Sequence, residues 1–191
     1  MSARPFRVYG LTGGIASGKS TVARLFTEIA GIPVVDADQV SRGLSAEGGA
    51  AHSIILKRFG TTERARLREI VFADENARHD LEAILHPLIR EESERQLRAA
   101  AEKSPAPIVL YEAALLVESG RYRDFDGLIV VEAAPEERIR RLRARDGQNE
   151  QMARQILAAQ LPDKARSSVA THRILNIFGP PLSRGQHTLT D

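Results

Sequence analysis

The run Gly13-Gly14-Ile15-Ala16-Ser17-Gly18-Lys19-Ser20 carries G-x-x-x-x-G-K-[ST] at every fixed position, and nothing else in the chain constrains its fold as tightly. It follows a β-prone stretch, Phe6-Arg7-Val8-Tyr9-Gly10-Leu11, and precedes a helix-forming one, Lys19-Ser20-Thr21-Val22-Ala23-Arg24-Leu25-Phe26. Strand, loop and helix in that order are the context such a loop needs. Glycines at 13, 14 and 18 let the backbone curve so that successive N–H groups face one anion, and the helix starting near Lys19 adds its positive end. Lys19 would then reach the β- and γ-phosphates of a nucleotide, and the Ser20 hydroxyl would ligate Mg²⁺.

The rest of the chain continues in the same style. Gly31 is placed to end the first helix, and Ile32-Pro33-Val34-Val35 reads as a second buried strand, which completes a βαβ unit. From Asp38 to Lys103 the pattern is helical and strongly charged, with Leu81, Ile84, Leu85 and Leu88 on one face, and Pro87 suits a helix start or a kink. Ile108-Val109-Leu110-Tyr111 and Leu128-Ile129-Val130-Val131 are apolar runs of the kind found in parallel sheets. Pro135 to Ala144 predicts a helix, Asp146-Gly147 a break, about Asn149 to Gln160 a second helix, and Ile174-Leu175 a last short strand. The tail from Gly179 to Asp191 is expected to be loosely ordered. With 191 residues the chain has room for one core, and an α/β class follows from the alternation of elements.

Composition removes several alternatives. Cysteine is absent, so disulfides, Cys-ligated metals and a Cys nucleophile are excluded, and the cytoplasm is the expected compartment. No apolar run approaches the ~18 residues of a membrane helix. Met1–Pro5 carries Arg4 but leads into a strand, not into the apolar core of a secretion signal. The five histidines show no ligand spacing, so no protein-bound zinc is expected. The net charge of +2 argues against a broad nucleic-acid footprint, while the basic residues are nearly all arginine, which suits bidentate capture of phosphate.

A phosphate loop does not name its acceptor. Asp36-Ala37-Asp38 follows directly on the second strand, at the carboxyl end where ligands bind in open α/β sheets. A carboxylate there can orient a hydroxyl and take its proton; equally, one of the two can simply cap the next helix. Glu112 holds the position of a Walker-B-like acid, with Glu in place of Asp. Arg138, Arg140, Arg141, Arg143 and Arg145 admit three readings: a solvated helix face, a nucleic-acid patch, or a lid that closes over a triphosphate. His86 before Pro87 reads as a structural or substrate hydrogen-bonding group. No Asn-Lys-x-Asp occurs, and Asp124-Phe125-Asp126-Gly127 meets D-x-x-G only at its fixed residues, so a GTPase is not indicated.

Taken together, Gly10 to Thr21, Val35-Asp36-Ala37-Asp38, Phe59-Gly60, Leu67-Arg68-Glu69-Ile70-Val71-Phe72, His86-Pro87-Leu88-Ile89-Arg90, Leu115-Leu116-Val117-Glu118, Arg141 with Arg145-Asp146, Gln160, and Asn176 with Gly179 resemble the dephospho-coenzyme A kinase family. The resemblance implies a P-loop kinase fold, a parallel sheet flanked by helices, with a nucleotide-binding core (1–39, 106–137 and 161–179), a helical substrate-binding region (40–105) and a lid (138–160), all in one domain. It implies ATP and Mg²⁺ as partners of the reaction, transfer of the γ-phosphate to the ribose 3′-hydroxyl of dephospho-coenzyme A, and a monomer with neither nucleic acid nor membrane as partner. The implied ATP-binding residues are Gly13, Gly14, Ile15, Ala16, Ser17, Gly18, Lys19, Ser20 and Thr21, with Arg141 and Asn176. Asp36, Asp38, His86, Arg90 and Glu118 would contact substrate; Asp38, Lys19 and Arg145 would be catalytic; and Ser20 would hold the metal. The chain departs from the family pattern in a short Thr61–Ala65 stretch, in Ala114 before the Leu pair and in Leu175 before Asn176. Rival readings are a nucleoside or nucleotide kinase of the same fold and a nucleotide-dependent nucleic-acid binder.

Overall fold

The computed structural model describes residues 5–177. Five strands, β1 (Arg7–Gly13), β2 (Val34–Asp36), β3 (Ile108–Glu112), β4 (Gly127–Glu132) and β5 (His172–Leu175), form a sheet in the order β2-β3-β1-β4-β5. The β2–β3, β1–β4 and β4–β5 pairs are all parallel. Parallel strands need crossovers, and the helices that supply them are α1 (Lys19–Ala30), α2 (Ala37–Ser45), α3 (His52–Phe59), α4 (Arg64–Ala73), α5 (Glu75–Ala101), α6 (Pro135–Asp146), α7 (Glu150–Ala158) and α8 (Asp163–Ser167). The chain divides into two compact units: one takes the chain up to Val8 and Gly31–Ala113, the other Tyr9–Ala30 and the chain from Ala114 onward.

In the second unit the apolar runs become β4 and most of β1, buried along almost their whole length, with Leu11, Leu128, Val130 and Val131 at most 1% exposed. Their register sets Tyr9 beside Gly127 and Gly13 beside Val131, so β1 ends level with the last turns of β4. Gly127 is needed there, because a Cβ would press 2.5 Å from the Tyr9 ring.

In the first unit the charged region 37–101 is four helices, with Val40, Leu44, Ile55, Leu67 and Leu97 turned inward. Gly31, at φ +65, ends α1 as the sequence indicates, and Gly60 at φ +71 does the same for α3. The short connection after Gly60 is closed by Glu63 N–H donating to Thr61 Oγ1. Of the two roles expected for Pro87, the helix start is excluded: α5 runs 27 residues through it. An interior proline costs about 3 kcal/mol through its missing N–H and ring clash, and the surrounding helix is long enough, and packed enough through Ala77, Ser93 and Leu97, to carry that cost. The tail from Gly179 onward lies outside the described residues.

Candidate active site

The phosphate-type loop begins where β1 stops. Gly13 is forced by close packing: a Cβ would fall 2.5 Å from the Val131 carbonyl oxygen and 2.6 Å from Ser17 Oγ. The curve is completed by two left-handed residues, Ala16 at φ +59 and Gly18 at φ +93, and by Ser17 N–H donating to the Gly14 carbonyl at 3.0 Å. Ala16 is the single non-glycine residue with positive φ in the described chain, a cost of order 1–3 kcal/mol of the kind that collects at ligand-binding turns. The helix α1 opens immediately after, at Lys19 and Ser20. Ser17 is 1% exposed and its hydroxyl finds no hydrogen-bond partner among the described residues, a buried polar atom awaiting a donor or acceptor in the loop itself.

What fixes the direction of the loop's N–H groups is a set of side chains on its outer side. Three consecutive carbonyls are gripped: Arg138 Nε donates to Ile15 O at 2.8 Å, Arg141 Nη1 to Ala16 O at 3.3 Å and Ser17 O at 3.1 Å, and Asn176 Nδ2 to Ser17 O at 2.9 Å. In a trans peptide the C=O and N–H point opposite ways. Holding the carbonyls of Ile15 and Ser17 outward therefore turns the N–H groups of Ala16 and Gly18 inward, as an anion site requires. Asn176 also borders an open cavity of about 620 Å³ lined in part by Glu137, Asp163, Arg173, Leu175 and Ile177.

The arginine-rich helix divides by phase. Ile139 and Leu142 of α6 form a buried cluster with Ala153 of α7, against which Ile15 and Ala16 of the loop pack. On that side lie Arg138, 4% exposed, and Arg141, with 13% of its side chain exposed. Arg140, Arg143 and Arg145 face solvent and are answered by carboxylates: Glu137 for Arg140, Glu150 for Arg143 and Asp146 for Arg145. Bidentate hydrogen bonding from Arg140, joined by Arg141, holds the Glu137 carboxyl at about 2, well below its ordinary 4.5. The bidentate Arg145–Asp146 pair likewise lowers the Asp146 carboxyl. Arg145, expected at the phosphates, thus faces solvent with Asp146, whereas Arg141 and Asn176 are at the loop and hold its carbonyls.

The acceptor-side candidates other than Glu118 belong to the first unit. Asp36 and Glu112 are register partners at the carboxyl ends of β2 and β3, with Glu112 buried. The helix-capping alternative applies to Asp36, whose Oδ1 accepts from Asp38 N–H at 2.7 Å and Gln39 N–H at 3.2 Å. Asp38 follows in the first turn of α2 with an exposed side chain. His86 and Arg90 sit one turn apart on one face of α5, both exposed. Glu118, in the second unit, accepts from Arg166 Nη2 at 2.6 Å; Arg166 is 1% exposed and also donates to Leu161 O.

Sequence reasoning missed Arg138 as a separate residue, together with Asp163 and Arg166. The signal for Arg138 was the helical phase, since it precedes Ile139 and lies one turn from Leu142; Asp163 and Arg166, spaced i,i+3 on a five-residue helix, gave none.

A glycine-rich loop closing a central parallel strand, with its carbonyls gripped from outside and a helix opening on Lys-Ser, defines a P-loop kinase. The particular family follows from relatives. The description "Dephospho-CoA kinase" fits residues 7–178, and the chain belongs to that family, which carries out the last step of coenzyme A biosynthesis. A dephospho-CoA kinase from Dechloromonas aromatica is 43% identical over 178 residues, 88% of this chain and 84% of its own, and one from Geobacter sulfurreducens is 43% identical over 84% and 85%. In fold, a Thermus thermophilus crystal structure superposes with a TM-score of 0.75 at 32% identity, covering 90% of this chain and 89% of its own. A dephospho-CoA kinase from Campylobacter jejuni gives 0.65 at 25% identity with the same coverage.

Proposed function

We propose that the chain transfers the γ-phosphoryl group of ATP to the ribose 3′-hydroxyl of dephospho-coenzyme A. The observation that carries this reading is the loop 13–18, whose outward carbonyls leave inward N–H groups, beside a buried unpaired hydroxyl, in a chain of this family.

On this reading the inward N–H groups of Ala16 and Gly18 and the N-terminus of α1 bind the β- and γ-phosphates, and Lys19 neutralises charge on the oxygens of the transferring group. The cavity lined by Asn176, Leu175 and Arg173 takes the nucleoside end of ATP. Lys19 and Ser20 open α1, and the Ser20 hydroxyl would hold Mg²⁺ there. When bound, the ion shields the β- and γ-oxygens and favours an in-line approach. The residues fit it through this one hydroxyl at the start of α1. Among the described residues no group of three acidic or histidine side chains forms a protein cage, and a phosphate-bound Mg²⁺ needs none.

Asp38 orients the 3′-hydroxyl and accepts its proton as the O3′–Pγ bond forms and the bond from Pγ to the β,γ-bridging oxygen breaks, leaving ADP. Asp36 is committed through Oδ1 to capping α2, which holds Asp38 at the first turn of that helix, so the first carboxylate positions the second. His86 and Arg90 present a hydrogen-bonding and a cationic group for the acceptor, and Arg145 is free to exchange Asp146 for a phosphate oxygen because the two are exposed neighbours.

The deciding experiment offers Mg²⁺ and ATP with dephospho-coenzyme A, adenosine or common nucleotides and measures ADP. Turnover confined to dephospho-coenzyme A, with coenzyme A as product, is expected. Equal or better turnover of a nucleoside or nucleotide would overturn the acceptor assignment.

A further inference from the structure

Arg138 is the most completely buried cation beside the loop, and only its bond to Ile15 O has entered the scheme above. Its guanidinium reaches three separate parts of the second unit. Nε donates to Ile15 O at 2.8 Å, Nη2 to Gln160 Oε1 at 2.9 Å, and Nη1 to both carboxylate oxygens of Asp163 at 2.9 and 2.8 Å. Gln160 Oε1 in turn accepts from Ile15 N–H at 2.8 Å. The two backbone polar groups of one loop residue are therefore tied, directly and through one shared oxygen, to a single planar fork. The guanidinium also lies against the Cα of Gly14, where a Cβ would come within 2.7 Å of Arg138 Cζ.

We infer that Arg138 is a positioning residue for ATP: it sets the conformation of the phosphate loop from behind and never contacts phosphate. A side chain at Gly14 would then push the guanidinium out of this position. Asp163 supplies the counter-charge that lets a guanidinium remain out of water, and it is shared with the second buried arginine, Arg166, at 3.3 Å. The rigid fork matters more than the charge, because only a planar group with donors on three sides meets Ile15, Gln160 and Asp163 together. A loop held this way loses little conformational freedom on binding, and that saving appears as nucleotide affinity.

The inference rests on the phosphate-loop reading, and its test separates the two. ADP binding with Mg²⁺ is measured by calorimetry, which needs no turnover, beside KM for each substrate. Arg138→Ala is expected to weaken ADP binding and raise KM for ATP by roughly 10- to 100-fold while KM for dephospho-coenzyme A stays within twofold. Arg138→Lys, which keeps charge but loses the fork, should recover only a small part of the loss. Arg143→Ala, on the solvent face of the same helix and paired with Glu150, should change neither constant. Asp163→Asn should weaken ADP binding a few-fold, and its effect should be non-additive with Arg138→Ala. Should Arg138→Ala fail to fold, Arg138→Lys and Asp163→Asn carry the test. Folded variants with unaltered ADP affinity, or equal rises in both KM values, would overturn the positioning role. A wild-type protein that binds ADP but does not phosphorylate dephospho-coenzyme A would overturn the kinase proposal and leave this one standing.

Discussion

In the unit that contains the loop, Arg138 and Arg166 keep at most 4% of their side chains in contact with water and end on backbone carbonyls as well as carboxylates. In the helical unit the arginines do something else. Arg58 meets Asp80, Arg66 meets Glu69, Arg78 meets Glu75 and Arg95 meets Glu92, with 48–67% of each arginine side chain exposed. Pairs of the second kind contribute about 0–1 kcal/mol, because both ions keep most of their hydration and must be ordered to meet. In pairs of the first kind the arginine is out of water, so removing its carboxylate leaves a buried cation with fewer acceptors and no water to replace the one lost. The same residue type therefore keeps its hydration where it is exposed, as Arg140, Arg143 and Arg145 also do on α6, and fixes geometry where it is buried.

The sharpest way to break this division is at the loop. Lys19→Ala removes the one loop cation proposed to act on the transferring group, and turnover is expected to fall beyond roughly 10³-fold, the upper range for losing a single transition-state contact. Folding should be unaffected by circular dichroism and melting. Wild-type turnover in a folded variant would detach the loop from the chemistry.

Next in size is the acid pair of the helical unit. Asp38→Asn is expected to lower kcat by about 10², the lower part of the range for general-base help, since a loose transition state puts little charge on the attacking oxygen. Asp36→Asn keeps a capping oxygen and should cost far less. Comparing the two at saturating ATP and dephospho-coenzyme A is decisive: a loss confined to Asp36→Asn reverses the assignment, and no loss in either leaves both as helix-end residues.

Glu118 tests the difference in burial directly. Glu118→Ala strips a partner from the fully buried Arg166 and should cost about 3 kcal/mol, whereas Arg58→Ala in the exposed Arg58–Asp80 pair should cost less than about 1. In a chain of this length that separates a fall in Tm of roughly 6–12 °C from one of a few degrees at most. If Glu118→Ala instead melts normally and raises KM for dephospho-coenzyme A, Glu118 is a substrate contact, as the family resemblance implies, and the Arg166 pair contributes nothing to stability.

What could be read from the sequence follows the same line. The loop was legible because its fixed residues, the preceding strand and the following helix are all local, and β1, α1, β2, β3 and β4 came out within one or two residues of the expected spans. The path through Pro87 was not legible, because propensity counts the missing hydrogen bond and not the 27-residue helix packed around it. The two aspartates were ambiguous for a physical reason: either can cap, and only the start of α2 at Ala37 makes Asp36 the cap. The five arginines looked equivalent because composition carries no phase; Ile139 and Leu142 supply it. Asp163 and Arg166 are long-range choices, bonded to residues 25 and 48 positions away, and no local pattern announces them.

The smallest effect expected lies where the two kinds of arginine meet on α6. Glu137 accepts from the exposed Arg140 and from Arg141, whose other nitrogen grips the loop carbonyls, so one carboxylate joins the solvent face to the clamp. Arg140 and Arg141 hold its pKa at about 2 in the folded chain, against about 4.5 when exposed. A depressed carboxyl stabilises the fold fully above the unfolded value, and that stabilisation fades as pH falls from about 4.5 towards about 2, where the folded chain also takes up the proton. Glu137→Gln is therefore expected to lower Tm by roughly 2–4 °C at pH 7, with the gap from wild type closing between pH 4.5 and pH 2. Glu92, held at about 2 by Arg95 and Gln96, is present in both proteins and cancels from the difference. Melting curves at pH 7, 4.5, 3.5 and 2.5 check this, and a gap that stays constant across that range would show that Glu137 stabilises the helix by packing or capping and not through its charge.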